Sequence, residues 1–182
     1  TTIASGTVTP VTGIAGLNMT ISNSAAVPME TLVNCDYGGD CSWYGNFASG
    51  ARMLWVNGTY YPDTGWWAGA GPLTIQFDSL QRGIGFQAMG DENGPFTATV
   101  CAYNSLNTLL GCVPFAGNVA GTADGSAAFM GLYDDVQEIS KVTIDAGGQL
   151  YPHDFGISQL FVTGTRRVLV PPTVTVPAGA TT

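Results

Sequence analysis

A regular alternation of apolar and polar residues between positions 73 and 162 constrains the fold of this chain most strongly. In Leu73–Phe77 and again in Phe96–Ala102, every second residue is apolar. A period of two is typical of strands that have one buried and one solvated face. The 3.6-residue period of an amphipathic helix is absent from the sequence. The sequence therefore predicts an all-β protein.

Four further segments of the same region have strand character, and turn residues separate them at intervals of roughly 8 to 12 residues. These segments are 83–89, 126–132, 139–145 and 155–162. Many short strands with this spacing are typical of two stacked sheets. We predict an antiparallel two-sheet β-sandwich of the jelly-roll kind over residues 25–164, with its core strands in 73–163.

The last predicted strand departs from strict alternation. Phe155 and Ile157 share one face, but Ser158 and Gln159 separate them from Leu160, the next strongly apolar residue. One extra residue in a strand returns the following side chains to the original face. We therefore predict a β-bulge at Ser158-Gln159.

The two ends of the chain are nearly uncharged and rich in Thr and Val, so we assign residues 1–24 and 165–182 to β arms. Pro171, Pro172 and Pro177 exclude the second arm from the middle of a sheet. Two interpretations stay open: the arms pair with their own domain as edge strands, or they add to the sheet of a neighbouring subunit. The residues predicted to make these contacts are Val8, Val11, Leu17, Met19, Val168, Val170, Val174 and Val176.

Residues 25–72 form an irregular part that contains all four tryptophans of the chain. Only 52–56 has clear strand character there. The aromatic side chains are either a platform on which sugar rings stack or large groups that seal the edge of the core. The candidate stacking residues are Trp43, Tyr60, Tyr61, Trp66 and Trp67.

The four cysteines occur as two local pairs, Cys35 with Cys41 and Cys101 with Cys112. Neither pair has the CxxC spacing or the histidine neighbours of a zinc site. We predict two disulfides, each of which closes a short loop and contributes about 2 to 3 kcal/mol. Disulfides imply an oxidising compartment, and hence a secreted or cell-surface protein.

The charge composition limits the possible partners. The chain of 182 residues carries a net charge of -8, and only 10% of its residues are charged, against about 25% in an ordinary domain. A negative surface repels nucleic acid and anionic lipid, so neither is an expected partner. No apolar run is long enough to span a bilayer. A weakly charged surface favours packing against other copies of the chain.

Acidic residues in predicted turns are candidate ligands for a structural Ca²⁺ ion, since calcium prefers carboxylate and amide oxygens. The candidate ligands are Asp91, Glu92, Asn93 and Asp154. The alternative is that these residues stabilise turns through their own hydrogen bonds. No other cofactor is expected. The chain lacks the G-x-S-x-G, H-E-x-x-H and P-loop motifs, and we predict no catalytic activity.

Four successive segments resemble a group of secreted bacterial β-sandwich domains that are similar to carbohydrate-binding-module jelly rolls. The segments are PLTIQFDSLQRGIGFQA, GPFTATVCAYNSLNTLLG, AAFMGLYDDVQEISKVTID and HDFGISQLFV, within residues 72–163. The resemblance implies the same sandwich fold, and a role as a binding module or a surface-structure component. This chain differs from the group at Ser158, where relatives often carry Asp or Asn, and in the cysteine pair Cys101 and Cys112.

Together these features favour a secreted, non-catalytic structural subunit of an extracellular filament or surface layer, joined to other copies by strand addition of its arms. The alternative is a carbohydrate-binding module that uses its exposed Trp and Tyr residues on a polysaccharide.

Overall fold

The computed structural model describes residues 2–10, 17–36, 43–56, 59–61, 66–136 and 138–163. In chain order the strands are β1 (Thr2–Ile3), β2 (Thr7–Pro10), β3 (Asn18–Asn23), β4 (Met29–Cys35), β5 (Trp43–Tyr44), β6 (Arg52–Trp55), β7 (Thr59–Tyr61), β8 (Trp66–Ala68), β9 (Leu73–Gln81), β10 (Gly83–Gly90), β11 (Gly94–Tyr103), β12 (Leu109–Val119), β13 (Ala128–Tyr133), β14 (Ile139–Gly147) and β15 (Phe155–Thr163). None of the described residues belongs to a helix that is long and apolar enough to cross a membrane.

The strands form two large sheets and one small hairpin. One sheet has the order β1-β4-β6-β15-β10-β13, with β5 added beside β4, and the other has the order β12-β11-β14-β9-β3-β2. Strands β7 and β8 pair with each other. All sheet pairings are antiparallel except the short contact of β4 with β5. The predicted antiparallel two-sheet sandwich is confirmed.

The alternating residues supply the core between the sheets. Leu73, Ile75 and Phe77 of β9 are at most 4% exposed, and Phe96 and Val100 of β11 are equally buried. Their polar neighbours in sequence face outward because successive strand side chains point to opposite faces. The period of two therefore predicted both the strands and their buried faces.

The bulge in β15 is also confirmed. Gly85 of β10 lies opposite Phe161 while Gln87 lies opposite Ser158, so β15 holds one more residue than β10 between these pairs. Gln159 is the extra residue of the bulge; its φ is 51° and its side chain is exposed to solvent. Leu160 is thereby returned to the core side, where it packs against the buried cluster.

The N-terminal residues pair with their own domain. Strand β1 pairs with β4, β2 pairs with β3, and β3 in turn pairs with β9. Residues 18–23 thus belong to a sheet of their own domain, as in the first of the two interpretations of the arm. Leu17 is 4% exposed and Met19 packs against the core, so both serve their own domain rather than a contact between subunits.

Other arm residues are less completely described. The backbone of Val8 pairs with Thr20. Val11 and the four C-terminal valines lie outside the described residues. The described residues of 25–72 contain five strands, β4 to β8, where the sequence indicated one. The sequence did not reveal β4 and β6 in full, because burial along these two strands does not follow a regular alternation.

Cys101 and Cys112 form the predicted disulfide. They are directly opposed residues of β11 and β12, so the bond joins the two strands in register. Cys35 is also disulfide-bonded. Cys41 lies outside the described residues, and its pairing with Cys35 stays a prediction.

Candidate functional site

Strand β13 is an unprotected edge of the sandwich. Exposed sheet edges are normally shortened or carry proline or charge, which prevents other chains from pairing with them. Strand β1 has two residues, β2 ends at Pro10 and β12 contains Pro114. Strand β13 has six residues, none of them proline or charged, and among the described strands it pairs only with β10. Its outer backbone groups are therefore open to another strand.

The outer face beside this edge carries three exposed aromatic side chains. Phe129 and Tyr133 of β13 and Phe161 of β15 are 60%, 63% and 55% exposed. The rings of Phe129 and Phe161 meet edge to face with their centroids 5.9 Å apart. Between them, a Cβ at Gly85 would lie 2.5 Å from Cζ of Phe129, so glycine lets the ring lie over β10. We call this open surface groove the aromatic trough; its volume is about 370 Å³.

The other face of β13 points toward the second sheet. An opening lies between the two sheets at the edge where β13 is the last strand of one and β12 the last strand of the other. We call this opening, of about 250 Å³, the edge cleft. Its apolar lining residues include Leu110, Val113, Leu132 and Ile139. Leu110 and Val113 of β12 are 39% and 38% exposed. Strand β13 thus has an apolar surface on both of its faces.

Acidic residues follow β13 directly. Asp134 lines the edge cleft, and its carboxylate accepts hydrogen bonds from the backbone N–H of Val136 at 3.2 Å and of Glu138 at 2.8 Å. Asp135 and Glu138 are exposed, and neither forms an ion pair within the part of the chain that is described. We call Asp134, Asp135 and Glu138 the acidic turn. It gives the C-terminal end of the open edge a negative charge.

Three of the four predicted calcium ligands lie near one another at the other end of β10. The backbone N–H of Asp91 donates to the carbonyl of Asp154 at 3.2 Å. Asp154 is 1% exposed; its Oδ1 accepts a 2.6 Å hydrogen bond from Nε1 of Trp55, and its Oδ2 is buried without a hydrogen-bond partner in the described structure. Glu92 accepts a hydrogen bond from the backbone of Leu150. We call Asp91, Glu92 and Asp154 the acidic cluster.

Burial destabilises the ionised form of these carboxyls. It raises the pKa of Asp154 to about 6, against the opposing effect of the Trp55 hydrogen bond. The Asp91 residue is exposed overall, but the protein atoms around its carboxyl, together with the charge of Asp154, raise its pKa to about 7. Desolvation, followed by the charges of the cluster, also raises the pKa of Tyr151. A bound proton or cation would therefore reduce the repulsion between the carboxylates of the acidic cluster.

The described residues contain no group of three or more His, Cys, Asp or Glu side chains arranged to hold a metal ion. Asn93, the fourth predicted ligand, is exposed. The calcium site stays a prediction, with Asp154 and Asp91 as its central residues.

The only histidine of the chain lies nearby. Nδ1 of His153 is 2.8 Å from Oδ1 and 3.0 Å from Oδ2 of Asp145. The pair borders a shallow cleft of about 180 Å³ together with Thr97 and Thr99. The carboxylate of Asp145 holds the imidazole in one orientation through these contacts.

The predicted sugar-stacking residues separate into two groups. Trp43 is 4% exposed and packs 5.9 Å from the ring of Trp55, so it is a core residue and the stacking prediction was wrong for it. The other four lie in the β7–β8 hairpin, where Tyr60 pairs with Trp67 and Tyr61 with Trp66 through the backbone. Their side chains are outside the described part, and their role stays a prediction.

Sequence reasoning missed the aromatic trough. A signal for it was present, because both β13 and β15 contain adjacent apolar residues where alternation requires a polar one. Phe129 precedes the core residue Met130, and Phe161 lies between Leu160 and Val162. An apolar residue on the solvent face of a strand is a candidate contact.

No family model matches this chain, and no curated protein matches it. Among solved structures, it is similar to a crystal structure of a DUF4465 family protein from Bacteroides caccae ATCC 43185, at 10% sequence identity and a TM-score of 0.39. The match covers 81% of this chain and 82% of the other. Similarity at this level carries no argument about function.

Proposed function

We propose that this protein is a secreted structural subunit of an extracellular assembly, joined to other copies by β-strand addition at the edge of β13. The observation that carries the proposal is the unprotected edge, which has apolar surface on both faces. An added strand would satisfy the outer backbone groups of β13, and its alternate side chains would enter the aromatic trough and the edge cleft.

Burial of the exposed side chains supplies the free energy of such a contact. Complete burial of a Phe or Leu side chain contributes about 1.5 to 3 kcal/mol, and each net backbone hydrogen bond about 1 kcal/mol. Phe129, Tyr133 and Phe161 are more than half exposed in the single chain. The low content of charged residues and the Cys101–Cys112 disulfide are compatible with an extracellular, closely packed assembly.

The test uses the full chain over a series of concentrations, with size-exclusion chromatography and negative-stain microscopy. The native protein is expected to form polymers, and Phe129→Lys and Tyr133→Lys to remain monomeric because a charge in the contact must be desolvated. Leu106→Lys is the matched control, since Leu106 is 84% exposed in the β11–β12 turn. A native protein that stays monomeric at every concentration would refute the proposal.

A carbohydrate-binding module is the second candidate function, and the aromatic trough favours it, since aromatic rings in an open groove are suited to stacking on sugars. This function predicts a monomer that binds polysaccharide. Isothermal titration with a panel of soluble polysaccharides would detect binding, and Phe161→Ala should abolish it. Heat signals that are equal for the native chain and Phe161→Ala would exclude the trough as the sugar site.

A further inference from the structure

We infer that the segment which adds to β13 is Arg166–Val170 of the C-terminal arm of a second copy. This inference rests on the proposed function and identifies the partner of the same edge. The segment lies outside the described residues, so its sequence, the two faces of β13 and the position of Thr163 carry the argument.

The apolar pattern of the segment matches the edge. Val168, Leu169 and Val170 are consecutive apolar residues, so as a strand this segment presents apolar side chains to both faces. Strand β13 offers an apolar surface on both faces, the aromatic trough and the edge cleft. The later segment Thr173–Val176 alternates Thr with Val and has only one apolar face. The first segment therefore fits both surfaces, and the second fits only one.

The length of the segment also matches. Pro171 and Pro172 lack a backbone N–H and end any regular pairing directly after Val170. The strand that can add is accordingly short, like β13 itself, which has six residues.

Charge complementarity sets the orientation. Arg166 and Arg167 precede the apolar residues and are two of the five basic residues in a chain of net charge -8. The acidic turn follows β13 directly, and its exposed Asp135 and Glu138 form no ion pair within the described residues. An arm that starts at the acidic turn and runs back along β13 pairs these charges and is antiparallel to the strand.

The length of chain that follows Thr163 favours pairing with β13 of a second copy over pairing with β13 of the same chain. Thr163 and Tyr133 both lie opposite Gly83, on its two sides, so a strand added outside β13 would lie three strand spacings from β15, or about 14 Å. The five residues from Thr163 to Val168 span at most about 17 Å when fully extended. Intramolecular closure would use almost all of this length in crossing the sheet and leave little for the reversal of direction that pairing needs. An arm from a neighbour has no such limit.

A charge exchange between two full-length variants tests the inference. One variant carries Arg166→Glu with Arg167→Glu, and the other carries Asp135→Lys with Glu138→Lys. At low ionic strength each variant alone brings like charges together, so the concentration needed for polymers should rise on the order of tenfold. In an equimolar mixture every arm meets an edge of opposite charge, and polymers should form again near the native concentration. Leu150→Lys, at an exposed site away from the edge, is the control for a charge that is introduced elsewhere on the surface.

The outcomes separate this inference from the proposed function. Recovery in the mixture supports exchange between copies, because pairing within one chain cannot be rescued by another. Loss in each single variant without recovery in the mixture overturns the assignment to a second copy. If polymers depend on Phe129 and Tyr133 but are unaffected by the arm substitutions, the edge is used and the arm is not its partner. A native chain that forms no polymers overturns both.

Discussion

The buried carboxyl of Asp154 gives this protein a pH dependence of unusual sign. The pKa of Asp154 is about 6 in the folded chain, above its ordinary value of 3.8. The folded state therefore binds this proton more tightly than the unfolded state does. The stability that the group contributes is fully present below the unfolded pKa and is lost as the pH rises through about 6. We expect the protein to be more stable at pH 5 than at pH 8.

The magnitude follows from the two pKa values. The difference between 3.8 and about 6 corresponds to a change in the free energy of unfolding of about 3 kcal/mol, as an upper value, over the whole range from pH 8 to below pH 3.8. About half of this change falls between pH 8 and pH 5, because the carboxyl of the unfolded chain is still ionised at pH 5. Asp91 acts in the same direction, but because that residue is exposed, solvent screening makes its contribution smaller. The exposed carboxyl of Asp124, whose pKa is lowered by hydrogen bonds from Ser126, acts in the opposite direction, but only at lower pH.

The assay is urea unfolding of the native chain and Asp154→Asn at several pH values between 5 and 8. The amide cannot ionise and still accepts the hydrogen bond from Trp55, so the variant should lose most of this pH dependence and be the more stable protein at pH 8. Asp135→Asn, at an exposed site, should keep the native profile. Equal slopes of stability against pH for the native chain and Asp154→Asn would refute the reasoning.

Three further predictions concern stability. Replacement of Cys101 and Cys112 by alanine should lower the free energy of unfolding by about 2 to 3 kcal/mol, and an unchanged urea midpoint would contradict this. Asn34 is fully buried and its Nδ2 donates to the carbonyls of Gly45 and Phe47, so Asn34→Leu should cost about 2 to 5 kcal/mol in thermal or urea unfolding; Asn18→Leu, at a partly exposed site, serves as the comparison. Ca²⁺ is expected to raise the melting temperature at pH 8, where the acidic cluster is ionised, and EDTA to lower it; no response to either would end the calcium prediction.

The sequence predicted the parts of the fold that depend on local pattern. Burial on one face produces the alternation in β9 and β11, and a single interruption of it located the bulge at Gln159. The Cys101–Cys112 disulfide was predictable because a turn separates the two residues on adjacent strands. Each of these features joins residues that are close in sequence.

The candidate site depends instead on contacts between distant segments. The aromatic trough exists because β10 lies between β13 and β15, and this strand order is not visible in any one segment. Trp43 illustrates the same limit. It was a candidate sugar-stacking residue of the irregular part of the chain, whereas the parallel contact of β5 with β4 accompanies its burial in the core.

The distribution of edge protection determines what kind of assembly the proposed contact would build. Among the described strands, the short β1 and the proline-bearing β2 and β12 discourage pairing at three of the four ends of the two large sheets, and β13 is the proposed acceptor. The proposed donor segment follows β15 in the chain, and β10 separates β15 from the acceptor strand β13. A contact between two different surfaces is heterologous, so each subunit that is added presents a new free acceptor or donor. Unless the rotation between neighbours closes a ring, growth continues in one direction, which is the behaviour expected of a filament subunit.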